Sequence, residues 1–167
     1  MSDWNRIVSR EGPAVWRTAY RLLGNHADAE ECFQETFLAA LRLSGVEPLR
    51  DERAVLQRLT VARAMDRLRQ RYRRRGREQT LAWESHPDAG ASPGEQAEAA
   101  ELSSRLRDAL SELPPRQAEA FCLFCLEGWT YEQIGGHLGC TIDNVGVLLH
   151  RARAALRQRL SAAHKEA

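Results

Sequence analysis

Apolar residues recur at intervals of three and four along nearly the whole chain, and no stretch alternates strictly as an exposed β-strand does. The first such stretch contains Val15, Ala19 and Leu22. Pro13 suits the first position of a helix there, and Gly24 suits its end. We therefore predict an all-α protein.

The segment HADAEECFQETFLAALRL predicts a second helix with two unlike faces, and Asp28 is a suitable N-cap with Glu31 completing a variant capping box. The inward face holds Ala29, Cys32, Phe33, Thr36, Phe37 and Ala40. The outward face holds Glu31, Gln34, Glu35, Leu38 and Arg42. An exposed leucine among carboxylates is weak evidence for a surface that binds a partner.

Arginines are concentrated in two blocks, which the formal net charge of +1 conceals. A third helix, predicted from about Ala54, runs into residues 66–77, where seven arginines accompany one acid. Residues 141–160 hold four arginines and one aspartate. Such local blocks indicate a nucleic-acid partner, and the alternative is a solvated basic run.

The chain divides at a stretch that has the composition of a linker. Residues 76–94, GREQTLAWESHPDAGASPG, collect Gly, Pro, Ser and Asp without periodicity. Trp83 is the exception there, a residue suited to docking on a partner or on a neighbouring helix. We predict a first domain over residues 1–75, a flexible linker over 76–97 and a second domain over 98–167.

The second domain is predicted to contain a helix-turn-helix. Pro115 suits the start of a helix that follows LRDALSEL, and Thr130 with Gln133 forms a capping box for the short helix YEQIGGHL. After Gly139, Thr141 caps a long helix. A short helix, a three-residue turn and a longer helix form the motif that places its second helix in the DNA major groove.

The long helix is predicted to bury one stripe of side chains: Ile142, Val145, Leu149, Ala152 and Leu156. Its outward face carries Asp143, Asn144, Val147, His150, Arg151 and Ala154. Asn144 can pair with adenine, Arg151 with guanine or a phosphate, and Val147 can touch a thymine methyl. The alternative is that Val147 and Arg151 are ordinary surface residues.

The cysteines suit a reducing compartment, because all four lie in apolar helical patterns: Cys32, Cys122, Cys125 and Cys140. Cys122-x2-Cys125 and His137-x2-Cys140 have roughly zinc-like spacing. However, the first pair is three residues apart on an apolar helix face, where a free Cys acts as a small hydrophobic side chain. We expect no metal and no other cofactor.

Two function classes find no support in the sequence. No phosphate loop, nucleophile elbow or His-carboxylate metal pair is present, so we do not expect an enzyme. No run of about 18 apolar residues and no signal peptide is found. We therefore expect a soluble, cytoplasmic protein without a membrane span.

The order and spacing of two motifs resemble RNA polymerase sigma factors of the sigma-70 family, in the extracytoplasmic-function (ECF) subfamily. ADAEECFQETFLAAL is similar to the region 2 signature, in which an acid, a glutamine and an acid precede an aromatic residue. The segment from Leu113-Pro114 through Tyr131-x2-Ile134 to HRAR is similar to region 4. The resemblance covers nearly the whole chain, from about Trp16 to Leu160.

For region 2, the resemblance implies binding to the clamp helices of the largest subunit of core RNA polymerase, through Glu31, Gln34, Glu35, Phe37 and Leu38. It also implies that the loop 44–51 and the next helix melt and read the −10 element, with strand contacts at Arg58, Ala62, Arg63, Asp66, Arg67 and Arg69. The family usually has Trp-Leu and later Asn on that helix. Here Val55-Leu56 and Ala62 stand instead, which affects the −10 bases read rather than the role of the surface.

For region 4, the resemblance implies contact with the polymerase flap and reading of the −35 element. The positions concerned are Thr130, Tyr131, Thr141, Asp143, Asn144, Val147, His150 and Arg151. The usual basic-Ser-basic tract is replaced here by Gly146, Val147 and Leu148. Arg153 points close to the buried side, where packing, an acid or backbone phosphate is its expected contact.

We thus expect a transcription initiation factor that brings core polymerase to promoter DNA. An anti-sigma factor is a further partner often found in the family. The alternative is a stand-alone helix-turn-helix regulator, which would leave the acidic face of the second helix without a role. Specific binding to duplex DNA without polymerase, unaffected by Gln34→Ala and Glu35→Ala, would favour that alternative.

Overall fold

The computed structural model describes residues 3–75, 90 and 92–165. In these residues it contains no strand and seven helices: α1 Trp4–Leu23, α2 His26–Ser44, α3 Glu52–Arg75, α4 Pro93–Glu112, α5 Pro115–Cys125, α6 Tyr131–Leu138 and α7 Ile142–Lys165. The prediction of an all-α fold is confirmed. None of the described helices is both long and apolar enough to cross a membrane.

The chain forms two compact units, Met1–Arg67 and Leu68–Ala167, and the division falls inside α3. Trp83 and most of the segment predicted as a linker lie outside the described residues. Residues 93–97, the last part of that predicted linker, are helical and open α4. The Ser92 side chain and Glu95 form a capping box at its start.

The first helix begins at Trp4, so the prediction that Pro13 opens it is wrong. The side chain of Asp3 accepts a hydrogen bond from the backbone N–H of Arg6 and caps the earlier start. Pro13 lies inside the helix with its ring exposed, while Ile7 upstream is buried. Burial of Ile7 offsets the loss of the helical hydrogen bond that proline cannot donate.

The second helix is capped by Asn25, and the prediction of Asp28 as N-cap is wrong. The Asn25 side chain accepts from the backbone N–H of Asp28, and its amide donates to the Asp28 carboxylate at 3.0 Å. On the inward face, the Cys32 thiol donates to the carbonyl oxygen of Thr60 at 3.8 Å. This contact joins α2 to α3 beside a core of Ile7, Val15, Phe37, Ala40 and Leu56.

In the second unit, α5 and α6 each pack on α7, and α4 packs on α7 as well. The predicted capping box is confirmed, with the Gln133 backbone donating to Thr130 Oγ1 and the Thr130 backbone donating to Gln133 Oε1. Gly139 ends α6 in the left-handed region at φ 66°. Thr141 Oγ1 then accepts from the backbone N–H of Asn144. These local bonds set the short turn of the helix-turn-helix.

Candidate functional site

Four of the five residues predicted to contact polymerase lie together on the exposed face of α2. Glu31, Gln34, Glu35 and Leu38 form this surface, called the acidic face below. Leu38 is 52% exposed in spite of its apolar side chain. The fifth, Phe37, is only 9% exposed. It packs on Phe33 with ring centroids 4.9 Å apart, so it supports the face from inside instead of forming its surface.

Sequence reasoning missed an apolar extension of this face. Leu41 is 46% exposed and follows Leu38 by three residues, a spacing that places both on neighbouring parts of one helix surface. The prediction assigns Leu41 to neither the inward nor the outward face of the helix, although helical periodicity is sufficient to place it.

The guanidinium of Arg67 lies between two carboxylates of the acidic face. It is 2.7 Å from Glu31 Oε2 and 2.7 Å from Glu35 Oε1, and Asp28 lies 4.0 Å away. Burial lowers the pKa of Arg67, but the bonds to Glu35 and Glu31 outweigh it, so the pKa is raised. The side chain of Arg67, which the sequence predicts to contact a strand phosphate, faces α2 in the structure.

The other residues predicted to contact the −10 strand are divided between two sides of α3. At about 100° per residue, Arg58, Ala62, Asp66 and Arg69 fall within roughly 80° of one another on the helix. Ala62 and Asp66 are exposed, whereas Arg58 and Arg69 are half-buried. Arg63 is also half-buried, between that face and the side that carries Arg67. The structure therefore groups four of the six residues on one surface.

The predicted outward face of α7 is exposed at Asp143, Asn144, Val147, His150, Arg151 and Ala154. On the inward side Val145, Leu149, Ala152 and Leu156 are buried, as predicted. Ile142 is different, because it is 48% exposed, and its predicted place in the buried stripe is wrong. It is the first residue of α7.

Gly146, in the second turn of α7, lies beneath an aromatic ring. A β-carbon on Gly146 would be 3.7 Å from Cε2 of Tyr131. The Tyr131 ring in turn meets Phe124 at 5.7 Å. On the other side, the Arg153 guanidinium lies 5.3 Å from the centre of the Phe124 ring. Tyr131 and Arg153 are thus half-buried packing residues, and the exposed part of the motif is the start of α7.

The cysteine and histidine positions do not form a metal centre in the described residues, which contain no cluster of three suitable ligands. Cys122 is buried and Cys125 is exposed, so the predicted shared apolar face holds for Cys122 alone. Burial raises the pKa of the Cys122 thiol to about 12 and that of Cys32 to about 11. His137 Nε2 lies 2.6 Å from Glu119 Oε1 and links α6 to α5.

Comparison with known families gives two matches in chain order. Residues 7–75 match the model for sigma-70 region 2, and residues 103–156 match the model for sigma-70, region 4. The first range contains the acidic face, and the second contains the helix-turn-helix. The fold and the exposed start of α7 thus define a helix-turn-helix transcription protein.

Curated relatives match over almost the whole chain. The ECF RNA polymerase sigma factor SigE of Mycolicibacterium smegmatis is 34% identical over 96% of this chain, which spans 63% of SigE. The RNA polymerase sigma factor CarQ of Myxococcus xanthus is 30% identical over 92% of this chain and 87% of CarQ. The chain therefore belongs to the ECF group of the sigma-70 family of RNA polymerase sigma factors.

Two solved structures share the fold. RpoE of Bartonella quintana, solved in complex with the anti-sigma factor NepR, superposes with a TM-score of 0.60 at 24% identity, covering 96% of this chain and 98% of that one. CnrH, solved with the cytosolic domain of CnrY, gives a TM-score of 0.57 at 24% identity, over 95% of this chain and 88% of CnrH. At this identity the likeness shows the architecture alone.

Proposed function

We propose that this sigma factor binds core RNA polymerase through the acidic face and directs it to promoters with −10 and −35 elements. One observation carries the proposal, which is that a single chain presents both an exposed acid-Gln-acid helix surface and an exposed helix-turn-helix. Polymerase supplies the chemistry of RNA synthesis, and this chain supplies recognition and capture of the strand. It therefore acts in the cytoplasm and catalyses no reaction itself.

For the −35 element, we propose that Asn144, His150 and Arg151 make the polar contacts of α7. All three are exposed near the start of the helix, where the second helix of this motif meets base edges. Val147 and the exposed Ile142 add apolar contacts, which suit the C5-methyl groups of thymines. Thr130 and Thr141, whose hydroxyls cap α6 and α7, hold the two helix starts toward the phosphates.

For the −10 element, we propose that the exposed side of α3 follows the separated strand. Arg58 and Arg69 flank Ala62 and Asp66 on that side, so phosphate contacts would come from its two ends. Such contacts are independent of sequence and weaken as salt rises. Val46, in the turn that follows α2, is 90% exposed and is available to an unstacked base.

We further propose that this chain takes an anti-sigma factor as a regulatory partner. The two solved relatives were each obtained in complex with another protein, named as the anti-sigma factor NepR for RpoE and as CnrY for CnrH. Leu38 on the acidic face and the neighbouring Leu41 are exposed and offer apolar surface of the kind that a protein partner covers.

Binding to purified core polymerase tests the proposal at the acidic face. We expect tight binding by the parent protein and weaker binding by Gln34→Ala and Leu38→Ala, which remove exposed side chains without disturbing the core. Glu98→Ala, at an exposed position on α4, is the matched control and should bind as the parent does. Failure of the parent to bind core polymerase would refute the proposal.

A further inference from the structure

Arg67 connects two helices by a bridge that neither helix could make alone. Its Nη1 pairs with Glu31 and its Nη2 with Glu35, each at 2.7 Å. The two carboxylates are four residues apart on α2, where like charges repel each other. A single planar guanidinium from α3 neutralises that repulsion and holds both carboxylates in one orientation.

The exposures of the three side chains show which of them faces outward. The Arg67 side chain is 19% exposed, whereas that of Glu31 is 63% and that of Glu35 is 47% exposed. The arginine therefore lies behind the carboxylates, and an incoming partner meets the acids first. Such a position suits a residue that orients the acids better than one that reaches for DNA phosphates.

We propose that Arg67 is a positioning residue for polymerase binding, which fixes Glu31 and Glu35 in the geometry that basic side chains of the polymerase recognise. The inference rests on the proposed function of the acidic face. It assigns to polymerase binding an arginine that lies in the helix otherwise expected to contact DNA. The bridge lowers the conformational entropy that the two acids would lose on binding.

If Arg67 positions the two acids, its loss should weaken polymerase binding, whereas the change in net charge alone would strengthen it. Arg67→Met leaves the face more acidic, so long-range attraction to a basic partner would keep the association rate the same or raise it. Loss of orientation would instead speed dissociation. We expect the dissociation rate to rise by roughly five- to tenfold, as for the loss of about one charge-assisted contact, with no decrease in association rate.

The experiment measures association and dissociation rates of the full chain with core polymerase for the parent, Arg67→Met and Arg67→Lys. Arg17→Met, at an exposed position on α1, is the matched control and should leave both rates unchanged. Arg67→Lys keeps the charge but has a single ammonium that cannot form the planar bridge, so its dissociation rate should lie between the parent and Arg67→Met. In the double variant Glu31→Gln/Glu35→Gln, adding Arg67→Met should change the dissociation rate little further.

Several results would overturn the inference. Slower dissociation of Arg67→Met would mean that Arg67 competes with polymerase for the acids. Unchanged rates together with weaker promoter binding by the assembled complex would assign Arg67 to phosphate contact. If Arg67→Met raised the dissociation rate equally in Glu31→Gln/Glu35→Gln, which lacks both carboxylates, Arg67 would act on the structure in general and not through the two acids. If the parent itself failed to bind, the proposed function would fail instead, so the two failures are distinguishable.

Discussion

A β-carbon on Gly135 would lie 2.7 Å from the backbone carbonyl oxygen of Cys140, closer than non-bonded atoms approach. The backbone N–H of Cys140 also donates to the carbonyl oxygen of Gly135 at 3.0 Å. The turn of the helix-turn-helix therefore folds back directly onto α6. The absent side chain at residue 135 sets the distance between the short helix and the helix that follows.

Substitution at two adjacent glycines distinguishes the effect of this packing on stability from the effect of helix propensity. Gly135→Ala should lower the free energy of unfolding by about 1–3 kcal/mol, because the turn must move to accept the methyl group. Gly136→Ala is the control, since nothing lies within 4 Å of its β-carbon position, and it should raise stability by up to about 1 kcal/mol. Urea unfolding of both proteins measures the difference, and effects of the same sign would contradict the turn geometry.

The glycine in α7 should tolerate one methyl group. At Gly146 a β-carbon would be 3.7 Å from the Tyr131 ring, an ordinary contact, so Gly146→Ala should stabilise the second unit by about 0.5–1 kcal/mol. Thermal unfolding measures the shift. Gly146→Arg restores the charge usual in the family but must displace Tyr131 or bend away from it. A loss of stability in Gly146→Ala would mean that the Tyr131 ring lies closer than 3.7 Å to the added methyl group.

The apolar contact of Val147 can be tested by removing one methyl group from DNA. Replacing thymine by uracil in the −35 element removes the C5-methyl while keeping the hydrogen-bonding edge. We expect one such replacement to weaken promoter binding of the polymerase complex by roughly two- to fivefold for the parent and hardly at all for Val147→Ala. Arg151→Ala should weaken binding on both DNAs. Equal sensitivity of the parent and Val147→Ala to uracil at every position would exclude the contact.

Thiol accessibility reports on both units without any partner. At pH 8 the buried thiols Cys32 and Cys122 are almost fully protonated, since burial raises their pKa to about 11 and about 12. Burial also raises the pKa of Cys125, but its side chain is exposed, so iodoacetamide should modify it before these two, which react only after denaturation. Mass spectrometry of digested protein identifies the sites. Modification of Cys122 as fast as Cys125 in native protein would contradict the packing of α5.

The features that sequence could predict are those decided by a few neighbouring residues. The Thr130 and Gln133 capping box and the Thr141 cap depend on bonds between residues three apart, so their pattern is visible in the chain. The exposed positions of α7 from Asn144 to Arg151 follow from helical periodicity. The same logic correctly placed Glu31, Gln34, Glu35 and Leu38 on one surface.

The features that sequence missed depend on contacts between distant residues. Ile142 has the spacing of a core residue, but it is the first residue of α7 and is 48% exposed. Pro13 usually marks a helix start, and burial of Ile7 extends α1 past it. Arg67 belongs to a basic block, yet its partners lie 32 and 36 residues away on α2, and periodicity along α3 cannot reveal them.

Run-off transcription with core polymerase on fragmented genomic DNA tests the central claim most directly. We predict initiation at a defined set of start sites, preceded by shared −10 and −35 sequences, which neither core polymerase nor this protein produces alone. Gln34→Ala should reduce transcription from all of these promoters alike. Binding to core polymerase without initiation at any fragment, or specific duplex binding that needs no polymerase and survives Gln34→Ala and Glu35→Ala, would contradict the account.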